Sequence, residues 1–423
     1  MPKKTVLDNG LRVVSKKLEN TKAVTCLILV GAGSRYENES NSGMSHFLEH
    51  MFFKGAKKFG NTKEVSEAID SVGGDFNAFT GKEYAGYYVK VASNHADIAC
   101  DVLSDMMLHA RFDQAEIEKE RGVILEEYNM YQDTPMYQIG WDFERLIYGD
   151  QPMGRDQIGT KEFIKSVSHE DFVKYKESLY TPDNTVFAMA GNIDHEQAVQ
   201  FAKKYFMFEN IKKDHEFDGL KELETERVSV KEKKTEQAHV VVGMRGYATS
   251  SADYYAAKIL AVLLGGNMSS RMFLNVREAQ GLAYYISTSL DDYSDSGVFY
   301  TRAGVDLNRI DDAIKAIIKE YQKVADGDIP ESEVTKSKEY MKGKIILRVE
   351  DSEEYAHLLA KRELLLNNIE TPEDIIAKID KVDSEALKRV AKDLMVPGNY
   401  KIAVIGPYED DKRFEEILLE CEK

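Results

Sequence analysis

Two hydrophobic periods alternate along this chain. Leu11-Arg12-Val13-Val14 and Cys26-Leu27-Ile28-Leu29-Val30-Gly31 read as strands. Gly73-Gly74-Asp75-Phe76-Asn77-Ala78-Phe79-Thr80, followed by Tyr84-Ala85-Gly86-Tyr87-Tyr88-Val89, alternates aromatics across a short turn and predicts a hairpin with paired glycines at its entry. Between them Phe47, Leu48, Met51 and Phe52 supply the apolar positions of a buried helix, with Asn41, Ser42 and Ser45 as start signals and Gly43 loosening the entry. A second helix is predicted from Phe112 to Tyr131, where Ile117, Ile124, Tyr128 and Tyr131 recur at helical spacing, Asp113 can cap, and acids crowd the first turns.

The pattern then repeats. Pro182 and Pro397, Asn184 and Asn399, and Gly191 and Gly406 share one offset of 215, each set leading into a strand. Cys26 to Gly31 matches Ala238-His239-Val240-Val241-Val242-Gly243, and Phe112 to Glu116 matches Ile329-Pro330-Glu331-Ser332-Glu333. The chain is therefore expected to be α+β, with two tandem homologous domains, each an antiparallel-rich sheet with helices on one face. The expected boundaries are 1–211, a charged linker at 212–225, and 226–423.

Composition narrows the partners. With 56 basic against 73 acidic residues, the net charge of -17 argues against nucleic acid and anionic membrane surfaces. A 43% hydrophobic fraction lets each domain build a full core. No apolar run reaches membrane-spanning length. Cys26, Cys100 and Cys421 are odd in number and widely spaced, which suits a reducing compartment; with Met1-Pro2-Lys3-Lys4-Thr5 running directly into a strand-like segment, a cytoplasmic address is expected.

The chemistry concentrates at His46-Phe47-Leu48-Glu49-His50. Positions i and i+4 stack on one helix face, so both imidazoles can aim at one ion, with Glu49 beside them as a candidate base. The plainer reading, two hydrogen-bonded core histidines, is costly because a buried Glu beside them would need a partner. A catalytic zinc site needs a third ligand and an open position. Glu120 and Glu127, seven apart, share a face of the predicted 112–131 helix, whereas Glu126 points away; spacing alone favours Glu127 over Glu126 only modestly. Farther on, Arg277-Glu278-Ala279-Gln280-Gly281-Leu282-Ala283-Tyr284 reads as a helix end capped by Gly281 and turning into a strand.

On these residues the chain resembles the pitrilysin-type zinc peptidases, the inverzincins, in its two-domain bacterial and mitochondrial-processing-peptidase-like form. The resemblance covers Gly33 to Glu37, His46 to Gly55, Glu120 to Glu127, and Arg277 to Tyr284, with Ala279-Gln280 departing from the basic residues frequent there. It implies one zinc per chain on His46, His50 and Glu127, Glu49 as catalytic base, and Glu120 as auxiliary acid. It further implies Arg277 and Tyr284 as catalytic residues that bind the peptide and polarise its carbonyl, and Phe76, Asn77, Ala78 and Phe79 as the strand that takes the substrate. The function so implied is a zinc-dependent endopeptidase acting on extended or presequence-like peptides in a closed chamber, with two chains closing as a clamshell homodimer. A non-catalytic partner subunit of a processing-peptidase-like complex is the alternative. Side-chain preference is expected to rest on pockets around Phe53, Phe79 and Tyr87.

Overall fold

The computed structural model describes residues 1–423. The first half of the chain runs β1 (Lys3–Val6), β2 (Arg12–Lys17), β3 (Ala23–Val30), α1 (Met44–Phe52), α2 (Thr62–Asp70), β4 (Asp75–Thr80), β5 (Ala85–Ala92), α3 (Ala96–His109), α4 (Gln114–Asp133), α5 (Pro135–Tyr148), α6 (Lys161–Ser166), α7 (His169–Leu179), β6 (Thr185–Gly191) and α8 (His195–Tyr205). The second half repeats the order: β7 (Val228–Glu232), β8 (Ala238–Gly246), α9 (Tyr254–Gly265), a π-helical stretch (Met272–Glu278), β9 (Ala283–Asp292), β10 (Gly297–Val305), α10 (Ile310–Ala325), α11 (Glu331–Arg348), α12 (Ser352–Leu366), α13 (Pro372–Asp380), α14 (Ser384–Leu394), β11 (Lys401–Gly406) and α15 (Lys412–Cys421). No helix is long and apolar enough to cross a membrane.

The duplication is visible in the sheets. One has the order β1-β2-β6-β3-β5-β4 and the other β7-β11-β8-β10-β9. In each, the first strand common to both halves pairs parallel with the last, β2 with β6 and β7 with β11, and the remaining pairings described are antiparallel. The hairpin strand β4 ends the first sheet as β9 ends the second.

The chain folds into two compact units, and neither is contiguous. One gathers Met1–Tyr128, Asp156–Asp218 and Ile345–Glu373; the other gathers Asn129–Arg155, Gly219–Lys344 and Asp374–Lys423. This differs from the 1–211 and 226–423 division read from the sequence, because the two halves exchange equivalent helices. α12 lays Tyr355, Ala356, Leu359 and Ala360 on Val14, Leu27, Leu29, Val186, Ala188 and Ala190 of the first sheet. α5 lays Ile139, Phe143, Leu146 and Ile147 on Val241, Val298, Ala403 and Ile405 of the second.

The physical reason lies in the strands themselves. β3 is buried at seven of its eight positions, so it is apolar on both faces. Cys26 meets Cys100 of α3 on one face, while Leu27 and Leu29 meet α12 on the other. Helices on one face alone would leave that second apolar face in water, at roughly 1.5–3 kcal/mol for each large side chain.

Candidate metal centre and active site

α1 carries His46, Glu49 and His50, and its start is built from a distance. Its first residue follows Gly43, at φ +105°, where no side chain caps the helix. The buried carboxylate of Glu37 instead accepts the backbone N–H groups of Gly43 and Ser45, both at 2.7 Å. Burial pushes the Glu37 carboxyl up in pKa, and those two donors only partly offset it. The expected start signals serve elsewhere. Asn41 closes a tight turn with Asn38, the Ser42 carbonyl accepts from the Thr160 N–H, and Ser45 hydrogen-bonds the Tyr175 hydroxyl. Glycine is required at 43 because a Cβ there would meet the Ile158 carbonyl oxygen at 2.7 Å.

From this helix His46 and His50 face α4, their ring centroids 4.7 Å apart. Glu127 Oε2 lies 3.6 Å from His46 Nε2 and 3.5 Å from His50 Nε2. These separations are too long for hydrogen bonds. A tetrahedral ion with arms of about 2.1 Å has ligand-to-ligand edges of about 3.4 Å, close to these two separations. The three side chains can hold a metal ion. Glu126 is exposed on α4, pointing away from this cluster as the helical period requires.

Glu120, one face-length along α4, orients the site. Its Oε1 lies 2.9 Å from His50 Nδ1, and Lys54 reaches its Oε2 at 2.5 Å. With Nδ1–H donated to Glu120, the lone pair of His50 sits on Nε2, toward Glu127. Burial raises the Glu120 carboxyl, but the hydrogen bonds from His50 and Lys54 outweigh it and hold the group below the usual range. His46 has no such support from protein: its Nδ1 is buried without a hydrogen-bond partner.

Glu49 faces β4. Thr80 Oγ1, at the end of that strand, donates to Glu49 Oε2. β4 pairs on one side only, with β5, and its other edge lies open in the sheet order. Along it, Phe76 stacks near Phe53, ring centroids 5.8 Å apart. Asn77 uses its own Oδ1 to accept the Ala78 N–H, and Phe79 packs edge-on against His357 of α12. Tyr87, expected to line a pocket, is fully buried against Phe52 and Tyr180; its neighbour Tyr88 reaches the accessible face.

Arg277 and Tyr284 lie in the second unit. The expected helix end is a π-helical turn, in which the Ala279 N–H bonds the Leu274 carbonyl, and Gly281 closes it at φ +58°. The Arg277 guanidinium stands 4.6 Å over the Phe273 ring. Tyr284 sits where β9 and β10 slip register: Tyr285 pairs with Gly304 and Ala283 with Val305, leaving Tyr284 unpaired between them. Such a bulge re-aims a side chain, and Tyr284 is 74% exposed.

Three signals were missed from sequence. Glu37 and Thr80 reach the site from positions with no fixed spacing to the motif. The aromatic Phe217 under the buried Arg35–Glu83 pair, which fastens the loop before α1, comes from the segment read as linker.

Comparison with known proteins places the chain in a family. Residues 12–160 match the family model described as Insulinase (Peptidase family M16), and residues 166–341 match that described as Peptidase M16 inactive domain. The Bacillus subtilis protein YmxG, called an uncharacterized zinc protease, is 36% identical over 409 residues, covering 96% of this chain and 98% of its own. A Mycobacterium leprae protein of the same description is 34% identical over 415 residues, covering 97% and 92%. Among solved structures, a protease from Helicobacter pylori shares the fold at a TM-score of 0.89 and 24% identity, covering 96% of this chain and 99% of its own. A Pseudomonas fluorescens structure described as a peptidase M16 inactive domain also scores 0.89, at 15% identity, covering 97% and 99%. With both halves matched in order and full-length relatives above 30% identity, this chain belongs to peptidase family M16.

Proposed function

We propose that the protein is a zinc-dependent endopeptidase that hydrolyses extended peptides inside a closed chamber made by two copies of the chain. The observation that carries this reading is the pair of imidazoles and the Glu127 carboxylate at metal-ligand spacing, with a second carboxylate, Glu49, one turn away and anchored to an open strand edge. Zinc held by His46, His50 and Glu127 would supply acidification of a water and polarisation of the peptide carbonyl.

The chain's own groups do the rest. Glu49 keeps Oε2 on Thr80 and takes the proton at Oε1, then returns it to the leaving amine. Glu120 fixes the His50 tautomer. The peptide pairs its backbone with the open edge of β4 at Phe76 to Phe79, a mode of recognition that asks little of side chains. Arg277 and Tyr284 bind the peptide and donate to the carbonyl oxygen as charge develops on it. The odd count of three widely spaced cysteines, Cys26, Cys100 and Cys421, supports a reducing, cytoplasmic setting.

Metal analysis tests the reading. Purified protein should bind one zinc per chain; His50→Ala and Glu127→Ala should bind none while remaining folded. Stoichiometric zinc in both variants would remove those residues as ligands. A zinc-loaded chain that cuts no peptide would favour the non-catalytic subunit.

A further inference from the structure

β4 is an edge strand, paired on one side only, with β5. Its last residue, Thr80, donates to Glu49 Oε2 of α1. No neighbouring strand fixes the open side of β4, so the place of Thr80 against Glu49 depends on what holds the turn that follows it. That turn, Gly81 to Tyr84, closes with the Gly81 N–H on the Tyr84 carbonyl at 2.9 Å.

The loop before α1 grips this turn. The N–H groups of Ser34 and Arg35 donate to the Gly81 and Lys82 carbonyls at 3.3 and 2.9 Å. The approach is close, since a Cβ at Gly33 would meet both of those carbonyl oxygens at 2.5 Å. Arg35 Nη1 then reaches Glu83 Oε1 at 2.5 Å, with the two side chains 1% and 2% exposed. The guanidinium lies 4.0 Å over the Phe217 ring. Two residues on, the Glu37 carboxylate accepts the N–H groups of Gly43 and Ser45 at the start of α1. Between these two grips the chain makes one tight turn, with the Tyr36 N–H on the Gly33 carbonyl at 3.0 Å and the Glu37 N–H on the Ser34 carbonyl at 3.3 Å. All of these residues lie in the first compact unit. The stretch 33–37 therefore ties the turn beyond Thr80 to the helix that carries Glu49.

Stability alone does not call for an ion pair there. Burying a guanidinium and a carboxylate costs desolvation that their attraction roughly offsets, and apolar residues of similar size fasten a loop as well. What a charged, hydrogen-bonded pair adds is direction, which holds the turn in one register. We infer that Arg35 is a positioning residue for catalysis: through Glu83 and the turn at 81–84 it sets Thr80, and so the Glu49 carboxylate, in place for proton transfer. Arg35 itself holds neither metal ligand nor peptide. The inference rests on the peptidase reading with Glu49 as base. A misplacement of about 1 Å at such a group costs on the order of 10²-fold in rate.

The test uses the full chain, zinc-loaded, with quenched peptides. Removing Arg35 alone strands a buried carboxylate, so Arg35→Met is combined with Glu83→Gln, which leaves a neutral pair of similar size. That protein should keep its zinc affinity within about twofold, by competition with a chelator, and its KM within about threefold, yet lose roughly 30- to 100-fold in kcat. Arg35→Lys keeps the charge and loses the planar fork, so its kcat should fall between the parent and that protein, with zinc affinity again unchanged. Thr80→Val should lose a factor similar to that of the pair. Adding Arg35→Met and Glu83→Gln to Thr80→Val should lose no more than about threefold further, because the changes act through one contact. Parental kcat without the pair, losses that multiply in the combined protein, or a fall in zinc affinity that accounts for the lost rate would each overturn the positioning role and leave the peptidase reading standing. A parent that cleaves no peptide would overturn that reading and this inference with it.

Discussion

Glu49 and Glu120 are neighbours of the same imidazoles, and the tasks proposed for them differ as their partners do. Glu49 is anchored by a neutral hydroxyl, Thr80. Glu120 is committed to His50 and Lys54. Glu49→Gln should therefore keep its zinc and lose roughly 10²–10⁴-fold in kcat, whereas Glu120→Gln should weaken zinc affinity about 10–100-fold, measured by competition with a chelator. Equal metal loss in both would erase the distinction. His357 gives a prediction in pH. Its folded value of about 4 lies below the ordinary 6.5, so the unfolded chain takes the proton first. The parent should lose stability as pH falls from about 6.5 to about 4, by at most about 3 kcal/mol, with no contribution above that window. His357→Gln should be flatter across the window in urea melts, and parallel curves for the two proteins would refute it. At this scale the sequence was most legible where one helix carries the proposed chemistry. The i, i+4 period alone puts His46 and His50 together; a seven-residue spacing puts Glu120 and Glu127 on one face of another helix, and only the family resemblance joins that face to the histidines. Glu37 and Thr80 were not legible, since each arrives from a separate turn or strand whose position only the fold defines.

The helix exchange is the main feature that local pattern did not reveal. Periodicity identified β2 to β5, α1, α4 and the repeat, but periodicity says only that an apolar face exists, not which helix covers it. The hint was present in β3 and β6, whose continuous burial demands cover on both faces. The consequence is testable with one core residue. Leu359 of α12 is fully buried in the first sheet's core. Leu359→Ala should cost about 2–5 kcal/mol, and hydrogen exchange should accelerate in β3 and β6 rather than in β8 and β11. Acceleration confined to β8 and β11 would contradict the exchange. The π-helical turn before Tyr284 and the bulge that follows were likewise invisible, because Arg277 to Gly281 carries the composition of any helix end.

For the whole molecule, the proposed roles amount to a division of labour after duplication. The two sets of side chains given proposed roles lie by equivalent sheet edges: His46, His50 and Glu127 near β4, Tyr284 at the start of β9 with Arg277 in the π-helical stretch before it. A homodimer follows from the proposed chamber, and light scattering should give twice the 48.0 kDa of one chain; a monomer active on peptides would refute the two-chain chamber. The central claim is hydrolysis at the cluster of His46, His50 and Glu127 with Glu49 as base. Its most direct test is cleavage of a mixed library of quenched peptides by zinc-loaded protein, with and without a chelator, alongside Glu49→Gln. The account predicts cleavage that the chelator abolishes and that the variant lacks. Cleavage that survives the chelator, or that Glu49→Gln performs at the parental rate, would contradict it.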